Sequence, residues 1–562
     1  MRHRYSRRRF LEFSGLAGLS SWLVACASST TTTGPTGSTG APTAPPDPTT
    51  SSIAPIATTE TTATVAETTP PPPPWTSPGW LAAENSQQGT SDWRIEAKVP
   101  GVGYREPEGT IEGWADTTSA QAGQTVTLHV ATGAAGWRAH AYRMGWYGGQ
   151  LGRLVWSSDE MPTEWQLTNS FDRATRMHRA NWTPSLTFTI DDSWPPGSYL
   201  VKLVASTGEA HYVPLTVRRD DAVSSLLLVS AVTTWQAYNP WGGRSLYENF
   251  GPGSRRDRSL VVSFDRPYAR SYNWGSADFL THELPLIALI EELGIDTNYA
   301  TNIDLHTSGD GGSDVLAGRT AVLTTGHDEY YSTPMRRTLE RAVSSGVNVA
   351  FFGANAVYRH VRLEPNDEGS PVRQMPNYRV ANADPLTEQD PKQSTVQWRN
   401  APLAEPESAL IGVQYFAAGV KAAYRVVNPS SWVFEGADVR NGSSFRGLVA
   451  IEADGLGPKG AEPENLEVLA SSPVRYKDNM YEHAMTYYAH PSGAGVVATG
   501  TIAWINALDT EEWADEDTTE FVRIVTGNIL RAFAAGPCGA THPSTGNADR
   551  YRRPVTPLGD SE

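Results

Sequence analysis

Residues 319–346 read RTAVLTTGHDEYYSTPMRRTLERAVSSG and contain a complete strand–loop–helix unit. The run that opens it is short and apolar, which is typical of a strand buried on both faces of a sheet. The helix that follows begins at Ser332-Thr333-Pro334 and stops at Gly346. A hydroxyl side chain caps the free N–H groups of a first turn, proline fits that turn, and glycine tolerates the backbone that ends a helix. The stretch therefore predicts one unit of a sheet covered by helices.

Two more apolar runs have the same character: SSLLLVSAV at 224–232 and VNVAFFGAN at 347–355. Between them, LPLIALIEELG at 284–294 has helical spacing and ends at a glycine. Alternation of buried strands with helices predicts parallel strands joined by crossover helices. We therefore predict for residues 220–540 an α/β fold with a doubly wound, mostly parallel sheet.

The preceding part of the chain, residues 77–219, has an all-β pattern. TVTLHV at 125–130 alternates polar and apolar residues, and LTFTIDDSWPPGSYLVKLVAS at 186–206 reads as strand, turn and strand. Short strands at this spacing predict an antiparallel sandwich of immunoglobulin-like type. Several aromatic residues of this region either pack the sandwich, which we favour, or bind a glycan: Trp137, Tyr142, Trp146 and Tyr147.

The first 26 residues resemble an export signal. SRRRFL at 6–11 is similar to a twin-arginine motif, and Leu23-Val24-Ala25-Cys26 is similar to a lipoprotein cleavage box. Residues 27–76 are rich in Thr, Ser and Pro, a composition that predicts a disordered stalk, and 541–562 reads as a loose tail. We therefore expect an exported membrane lipoprotein that faces outward, anchored by lipid on Cys26. Cys538, the second cysteine, then has no disulfide partner.

Composition and missing motifs exclude several function classes. A net charge of −16 argues against a nucleic-acid partner. No Gly-x-Gly-x-x-Gly or Walker pattern follows any predicted strand, so a nucleotide site lacks support. The absence of a Gly-x-Ser-x-Gly elbow weighs against an α/β-hydrolase.

Polar side chains that suit a metal follow three of the predicted strands. In a doubly wound sheet, ligands bind beyond the carboxyl ends of the strands. His, carboxylate and tyrosinate side chains together suit a hard or borderline metal ion. A helix cap, a turn or simple packing explains the same residues about equally well, and Asp328 in particular is expected to cap the next helix or to meet an arginine. The residues expected at this rim are Tyr238, Asn239, His327, Asp328, Glu329 and Asn355.

From about Trp114 to Trp504 the chain resembles the large (beta) subunit family of N,N-dimethylformamidase. The resemblance rests on TTWQAYNPWGGRSLY (233–247), SFDRPY (263–268), LAGRTAVLTTGHDEYYS (316–332) and GAGVVATGTIAW (493–504). It implies a glutamine-amidotransferase-like α/β domain and an amidohydrolase with one ferric ion.

The resemblance also implies roles for individual residues. Matched motif by motif, the metal ligands are Tyr238, Tyr268 and Glu329, with Tyr272 as the less favoured second tyrosine. The family's histidine and asparagine beside the metal fall on His327 and Asn355. His327 would then act as general base or orient water, and Asn355 would donate to the developing oxyanion.

Three functions remain open on the sequence. The first is a surface-tethered, mononuclear iron-dependent hydrolase of a small, non-peptide amide. The second is a non-catalytic surface module that binds a glycan or a partner protein. The third is a metal hydrolase that acts on a cell-envelope polymer. Assembly of the chain into a homo-oligomer is a separate question that the sequence also leaves open. Four aromatic residues would stack such a larger substrate: Trp235, Trp241, Tyr247 and Trp274.

Overall fold

A computed structural model describes residues 73–96, 111–166, 169–248, 257–509, 513–553 and 555–557. The predicted signal peptide with Cys26 and almost all of the predicted stalk lie outside these residues. The described residues fall in one compact unit, Pro73–Glu562. Among the described helices, none is both long and apolar enough to cross a membrane.

The first sheet has eight strands and is organised around one long central strand, β3. The first half of β3 pairs with β1 and β8, and its second half pairs with β4, β5 and β9. Residues on its inward face alternate with exposed ones, as expected for a strand with one buried side. The strands of this part of the chain, including the small β6–β7 hairpin, are β1 (Ile111–Ala115), β2 (Ser119–Ala120), β3 (Thr125–Met144), β4 (Gly152–Ser157), β5 (Met161–Glu164), β6 (Asn169–Asp172), β7 (Met177–Ala180), β8 (Leu186–Thr189), β9 (Gly197–Ala205) and β10 (Ala210–Val217).

The second sheet contains the predicted apolar runs as fully buried strands. Its order is β13-β11-β14-β16-β23-β22-β21, with β24 added beside β22. The first five strands in this order are parallel neighbours; β22 runs antiparallel to β23, and β21 and β24 each run antiparallel to β22. These strands are β11 (Leu226–Ser230), β13 (Thr297–Thr301), β14 (Ala321–Thr324), β16 (Asn348–Phe351), β21 (Glu467–Tyr476), β22 (Asn479–Ala489), β23 (Gly495–Ala498) and β24 (Thr556–Pro557).

Four further short pairings lie outside the two large sheets: β6 with β7, β12 with β18, β15 with β17, and β19 with β20. The longest of them is the β19–β20 hairpin, which packs against β21 and β22. The strands not yet given are β12 (Val261–Ser263), β15 (Tyr330–Tyr331), β17 (Arg359–His360), β18 (Gln374–Pro376), β19 (Gln414–Arg425) and β20 (Ser444–Gly455).

Helix α6 begins and ends where the local sequence predicts, and α9 has a similar N-terminal cap. In α6, the Ser332 hydroxyl accepts from the Met335 backbone N–H, and proline occupies the first turn. In α9, Asp515 accepts from the Thr518 backbone N–H, and Gly536 follows the last turn. The α-helices are α1 (Trp80–Asn85), α2 (Val232–Tyr238), α3 (Phe279–His282), α4 (Leu284–Glu292), α5 (Asn302–Gly309), α6 (Thr333–Ser344), α7 (Ser408–Ile411), α8 (Ala503–Asn506), α9 (Glu516–Ala535) and α10 (Cys538–Thr541).

The predicted doubly wound, mostly parallel α/β fold is wrong. The second sheet is mixed, several small sheets surround it, and strands outweigh helices over the described residues. A local reason is visible at the end of β21, where only Lys477 and Asp478 separate it from β22. A two-residue connection can join only antiparallel strands, whereas parallel neighbours need a crossover of a dozen or more residues. Short apolar runs carry no information about strand direction. Hydrophobic periodicity therefore could not distinguish a mixed sheet from a parallel one.

Candidate functional site

The loops after β11, β14 and β16 meet at one edge of the second sheet. Helix α2 follows β11 and carries Tyr238 at its end. The loop after β14 carries His327, which forms a parallel bridge with Ala354 in the loop after β16. A Cβ on Gly353 would collide with the carbonyl oxygen of Gly326, so glycine is required for the two loops to approach this closely. The predicted convergence of strand ends therefore brings Tyr238, His327, Glu329 and Asn355 together.

Tyr238 and Glu329 form the central contact of the cluster. The Tyr238 hydroxyl donates to Glu329 Oε2 at 2.6 Å, and Arg359 Nε donates to Oε1 at 3.3 Å. The Thr234 hydroxyl accepts from the Glu329 backbone N–H at 2.9 Å. Burial by itself raises the pKa of Glu329, but the nearby His327 imidazole and the Arg359 charge outweigh it and hold that pKa below its usual value. Burial and the neighbouring Glu329 charge raise the pKa of Tyr238 well above its usual value.

His327 is surrounded by three carboxylates. Its Nδ1 lies 3.5 Å from Asp278 Oδ2, and its Nε2 lies 3.7 Å from Glu329 Oε2 and 4.0 Å from Glu452 Oε2. Burial by itself lowers the pKa of His327, but these carboxylates raise it well above its usual value. The imidazole is therefore held close to groups that can take or return a proton.

Three buried polar atoms of this cluster have no hydrogen-bond partner among the described residues: His327 Nε2, Asn355 Oδ1 and Glu452 Oε2. Buried polar atoms are nearly always hydrogen-bonded, so three such atoms at one place mark a position suited to a bound group. Asn355 itself is firmly placed, since its backbone N–H donates to Asp454 Oδ1 at 2.8 Å. Its φ of 59° puts it in the left-handed region, where asparagine is one of the tolerated residues.

Sequence reasoning missed Glu452 and Asp454, which lie two residues apart on β20. Both are buried, and burial raises the pKa of Glu452 and brings the pKa of Asp454 to about 8. A usable signal was present, because carboxylates at alternate positions of FRGLVAIEADG (445–455) share one face of an otherwise apolar strand. Asp328 neither caps α6 nor meets an arginine in its described contacts: its carboxylate accepts from the Tyr331 hydroxyl at 2.5 Å and from Asn302 at 3.2 Å.

Tyr247, which the sequence analysis considered only as a stacking residue, stands beside Tyr238. The two rings stack with centroids 5.0 Å apart and an interplanar angle of 22°. Burial and then the charge of Glu329 raise the pKa of Tyr247, which places its phenol within electrostatic range of the site.

Tyr268 and Tyr272 have different surroundings. The Tyr268 ring packs edge-on against Trp235 with centroids 6.2 Å apart, and after burial the main influences on its pKa are Arg266 and Arg373. After burial, the main influence on the pKa of Tyr272 is Asp278. No contact described for Tyr268 joins it to Tyr238, Glu329 or His327, so Tyr268 as a ligand stays a prediction.

Two of the four aromatic residues considered as stacking platforms are buried. Trp235 and Trp241 lie in the core, whereas Tyr247 is 38% exposed. In the first sheet, Trp137, Tyr142 and Tyr147 are also buried, which agrees with packing. Trp146 is partly exposed, and Trp274 is partly buried beneath the Arg270 guanidinium.

The donor set fits a ferric ion. Tyrosinate and carboxylate oxygens are hard ligands, and Tyr238 and Glu329 already direct such oxygens at each other. Across the described residues, no group of three or more His, Cys, Asp or Glu side chains is arranged to hold a metal. A site built on two phenolates and one carboxylate needs only one side chain of these four types.

Comparison with known proteins bears on this arrangement. The profile of the family described as "N,N-dimethylformamidase beta subunit-like, C-terminal" matches residues 138–518, a region that contains the whole cluster. The N,N-dimethylformamidase beta subunit of Alcaligenes sp. is 26% identical over 301 residues, which cover 48% of this chain and 38% of that protein. The match thus spans well under half of the relative's length. Because the profile covers more than half of the chain, the chain belongs to the N,N-dimethylformamidase beta subunit-like family.

Proposed function

We propose that this protein hydrolyses the carbon–nitrogen bond of a non-peptide amide with the help of a single ferric ion. Family membership supports amide hydrolysis as the class of reaction. The observation that carries the proposal is the 2.6 Å contact between the Tyr238 hydroxyl and Glu329 Oε2, beside the unpartnered atoms of His327, Asn355 and Glu452.

Tyr238, Tyr247 and Glu329 would hold the ion. Two phenolates and one carboxylate carry three negative charges, which match the charge of Fe(III). A bound ferric ion would supply Lewis-acid polarisation of the amide carbonyl. Replacement of the Tyr238 phenol proton by the ion would also offset the raised pKa that burial and Glu329 impose on that side chain.

The remaining residues would handle protons and charge. Glu452 and His327 lie 4.0 Å apart and can together accept a proton from an attacking water and return it to the leaving amine. Asp278, 3.5 Å from Nδ1, would orient the His327 ring. The Asn355 side-chain amide would donate to the developing oxyanion. Burial of these groups strengthens each of these interactions relative to water.

The test is iron content together with the visible absorption spectrum of the purified protein. We expect about one iron per chain, as the proposed mononuclear site requires, and a phenolate-to-iron charge-transfer band. Tyr238→Phe and Glu329→Gln should lose both. Tyr247→Phe should lose or shift the band, and Tyr268→Phe should leave it unchanged; the opposite result would restore Tyr268 as the ligand. A colourless, iron-free protein after reconstitution with ferric iron would refute the metal site.

Activity is tested separately on a panel of small amides that includes N,N-dimethylformamide. Release of amine by the iron-loaded protein, and its loss in Asn355→Ala with iron retained, would support hydrolysis at this site. An iron-loaded protein that releases no amine from any member would refute small amides as substrates.

We also propose that the protein acts outside the cell, anchored through lipid on Cys26. This rests on the export-type pattern of residues 1–26. Incorporation of labelled palmitate in the native protein and its loss in Cys26→Ser would support the anchor. Unlabelled native protein recovered in the soluble fraction would refute it.

A further inference from the structure

A second cavity lies beside the β19–β20 hairpin, which also carries two carboxylates of the candidate site. Tyr415 stands directly opposite Asp454 in the hairpin and its ring packs against Tyr358, whereas its neighbours Gln414 and Phe416 have different surroundings. Gln414 and Phe416 line a cavity of about 360 Å³, within the range of small-ligand pockets. The cavity is bounded by β22 and by the segment around Arg552. It is therefore separate from the cluster around Glu329.

Three buried polar atoms of the residues that line this cavity have no hydrogen-bond partner among the described residues: Gln414 Oε1, His483 Nδ1 and Arg552 Nε, the last of which lies 3.7 Å from Asp549 Oδ1. His483 is fully buried, and its Nε2 lies 3.2 Å from the Thr499 carbonyl oxygen. A carbonyl only accepts, so Nε2 carries the proton and Nδ1 of the neutral ring is an acceptor. Burial lowers the pKa of His483 to about 4, which keeps the ring neutral. The residues that line the cavity thus carry two acceptors and one donor without a hydrogen-bond partner.

The charges around the cavity cancel. Lys459 pairs with Asp549 at 2.8 Å, and Arg552 pairs with Glu462. A further wall residue, Glu482, accepts from the Ser471 hydroxyl at 3.1 Å and faces the positive charge of Arg553. Because no unbalanced charge of either sign remains, the site does not favour an anion or a cation.

An aromatic surface completes the lining. The rings of Phe416 and Tyr481 stack with centroids 5.0 Å apart and an interplanar angle of 11°. Such a pair presents apolar area suited to the C–H face of a ring, while the amide, imidazole and guanidinium groups suit hydroxyls, which both donate and accept. We propose that this cavity binds a neutral sugar ring, either as a free monosaccharide or as the end residue of a glycan.

The test is isothermal titration of the full-length protein with glucose, galactose, mannose and N-acetylglucosamine, and with their methyl glycosides and disaccharides. We expect saturable binding of at least one neutral sugar, and Kd raised tenfold or more by Phe416→Ala and by Gln414→Leu. Phe171→Ala and Gln389→Leu, at exposed positions outside the cavity, should leave Kd unchanged. Binding of free sugars alone would indicate a free monosaccharide as the ligand. Binding of the glycosides as well would indicate the end residue of a glycan.

Iron content is measured on the same variants and should not change, which separates this site from the candidate metal site. If Phe416→Ala fails to fold, the sugar affinity of the near-isosteric Gln414→Leu variant decides whether the proposal holds. The proposal is overturned if no neutral sugar binds, if only a charged sugar such as glucuronate binds, or if a well-folded Gln414→Leu binds as tightly as the native protein.

Discussion

Arg143 and Glu291 form a buried ion pair that joins the first sheet to the helices of the second. Arg143 Nη2 donates to Glu291 Oε1 at 2.7 Å and Nη1 donates to Oε2 at 3.0 Å, and both side chains are fully buried. Glu291 also accepts from the Tyr299 hydroxyl at 2.5 Å and from Asn85 at 3.0 Å. Substitution of Glu291 by glutamine keeps the shape, removes the charge and turns one acceptor into a donor that faces other donors.

The magnitude follows from burial. Removal of one partner of a buried pair leaves an uncompensated charge and typically costs about 3–5 kcal/mol in the free energy of unfolding. Glu292, the next residue, pairs with Arg523 at 2.6 Å, but both side chains are about one-third exposed. An exposed pair contributes roughly 0–1 kcal/mol. Glu291→Gln should therefore destabilise the protein several times more than the matched Glu292→Gln.

The assay is urea-induced unfolding of the native protein and the two single variants, followed by far-UV circular dichroism. A further variant, Arg143→Met with Glu291→Leu, replaces both charges by apolar side chains and should recover much of the stability lost in Glu291→Gln. Equal destabilisation by Glu291→Gln and Glu292→Gln would refute the reasoning, since the carboxylate would then not be the buried partner that the contacts describe.

Three further predictions concern the site and its surroundings. Gly353→Ala should destabilise the fold by about 1–3 kcal/mol in urea unfolding, because its Cβ collides with the Gly326 carbonyl; an unchanged midpoint would contradict this. Burial raises the pKa of Glu283 to about 8, so the folded state holds a proton that the unfolded state releases above its ordinary value of 4.5. Stability should then fall as pH rises from about 4.5 to 8, and Glu283→Gln should make that slope shallower, leaving the share contributed by buried carboxyls such as Asp454, in unfolding free energies measured across this range. Removal of iron by a ferric chelator should lower the melting temperature of the native protein, but not that of Tyr238→Phe or Glu329→Gln, in differential scanning calorimetry.

The fold was predictable where local rules act alone. The apolar runs form the buried strands Leu226–Ser230, Ala321–Thr324 and Asn348–Phe351. Helix α6 begins at the predicted Ser-Thr-Pro sequence and ends just before the predicted glycine. Strand direction was not predictable, because the pattern of burial is similar whether a buried strand has parallel or antiparallel neighbours. The antiparallel pairing of β21 with β22 and of β19 with β20 therefore became visible only in the structure.

The residues of the candidate site were likewise predictable only in part. Sequence adjacency to strand ends singled out Tyr238, His327, Glu329 and Asn355, since the end of a buried strand determines where the next loop emerges. Glu452 reaches the same cluster from β20, more than 120 residues beyond Glu329, through pairing that no local pattern specifies.

The sequence by itself determined the buried strands β11, β14 and β16, the cap of helix α6, and that ligand-type side chains follow several strands. It also carried the motifs that place the chain in its family. Only the tertiary structure decided strand direction, the pairing of β19 with β20, and which tyrosine stands beside Tyr238. These properties depend on contacts between residues far apart in the chain, whose energies are set by packing and by hydrogen bonds in three dimensions and not by neighbours in sequence.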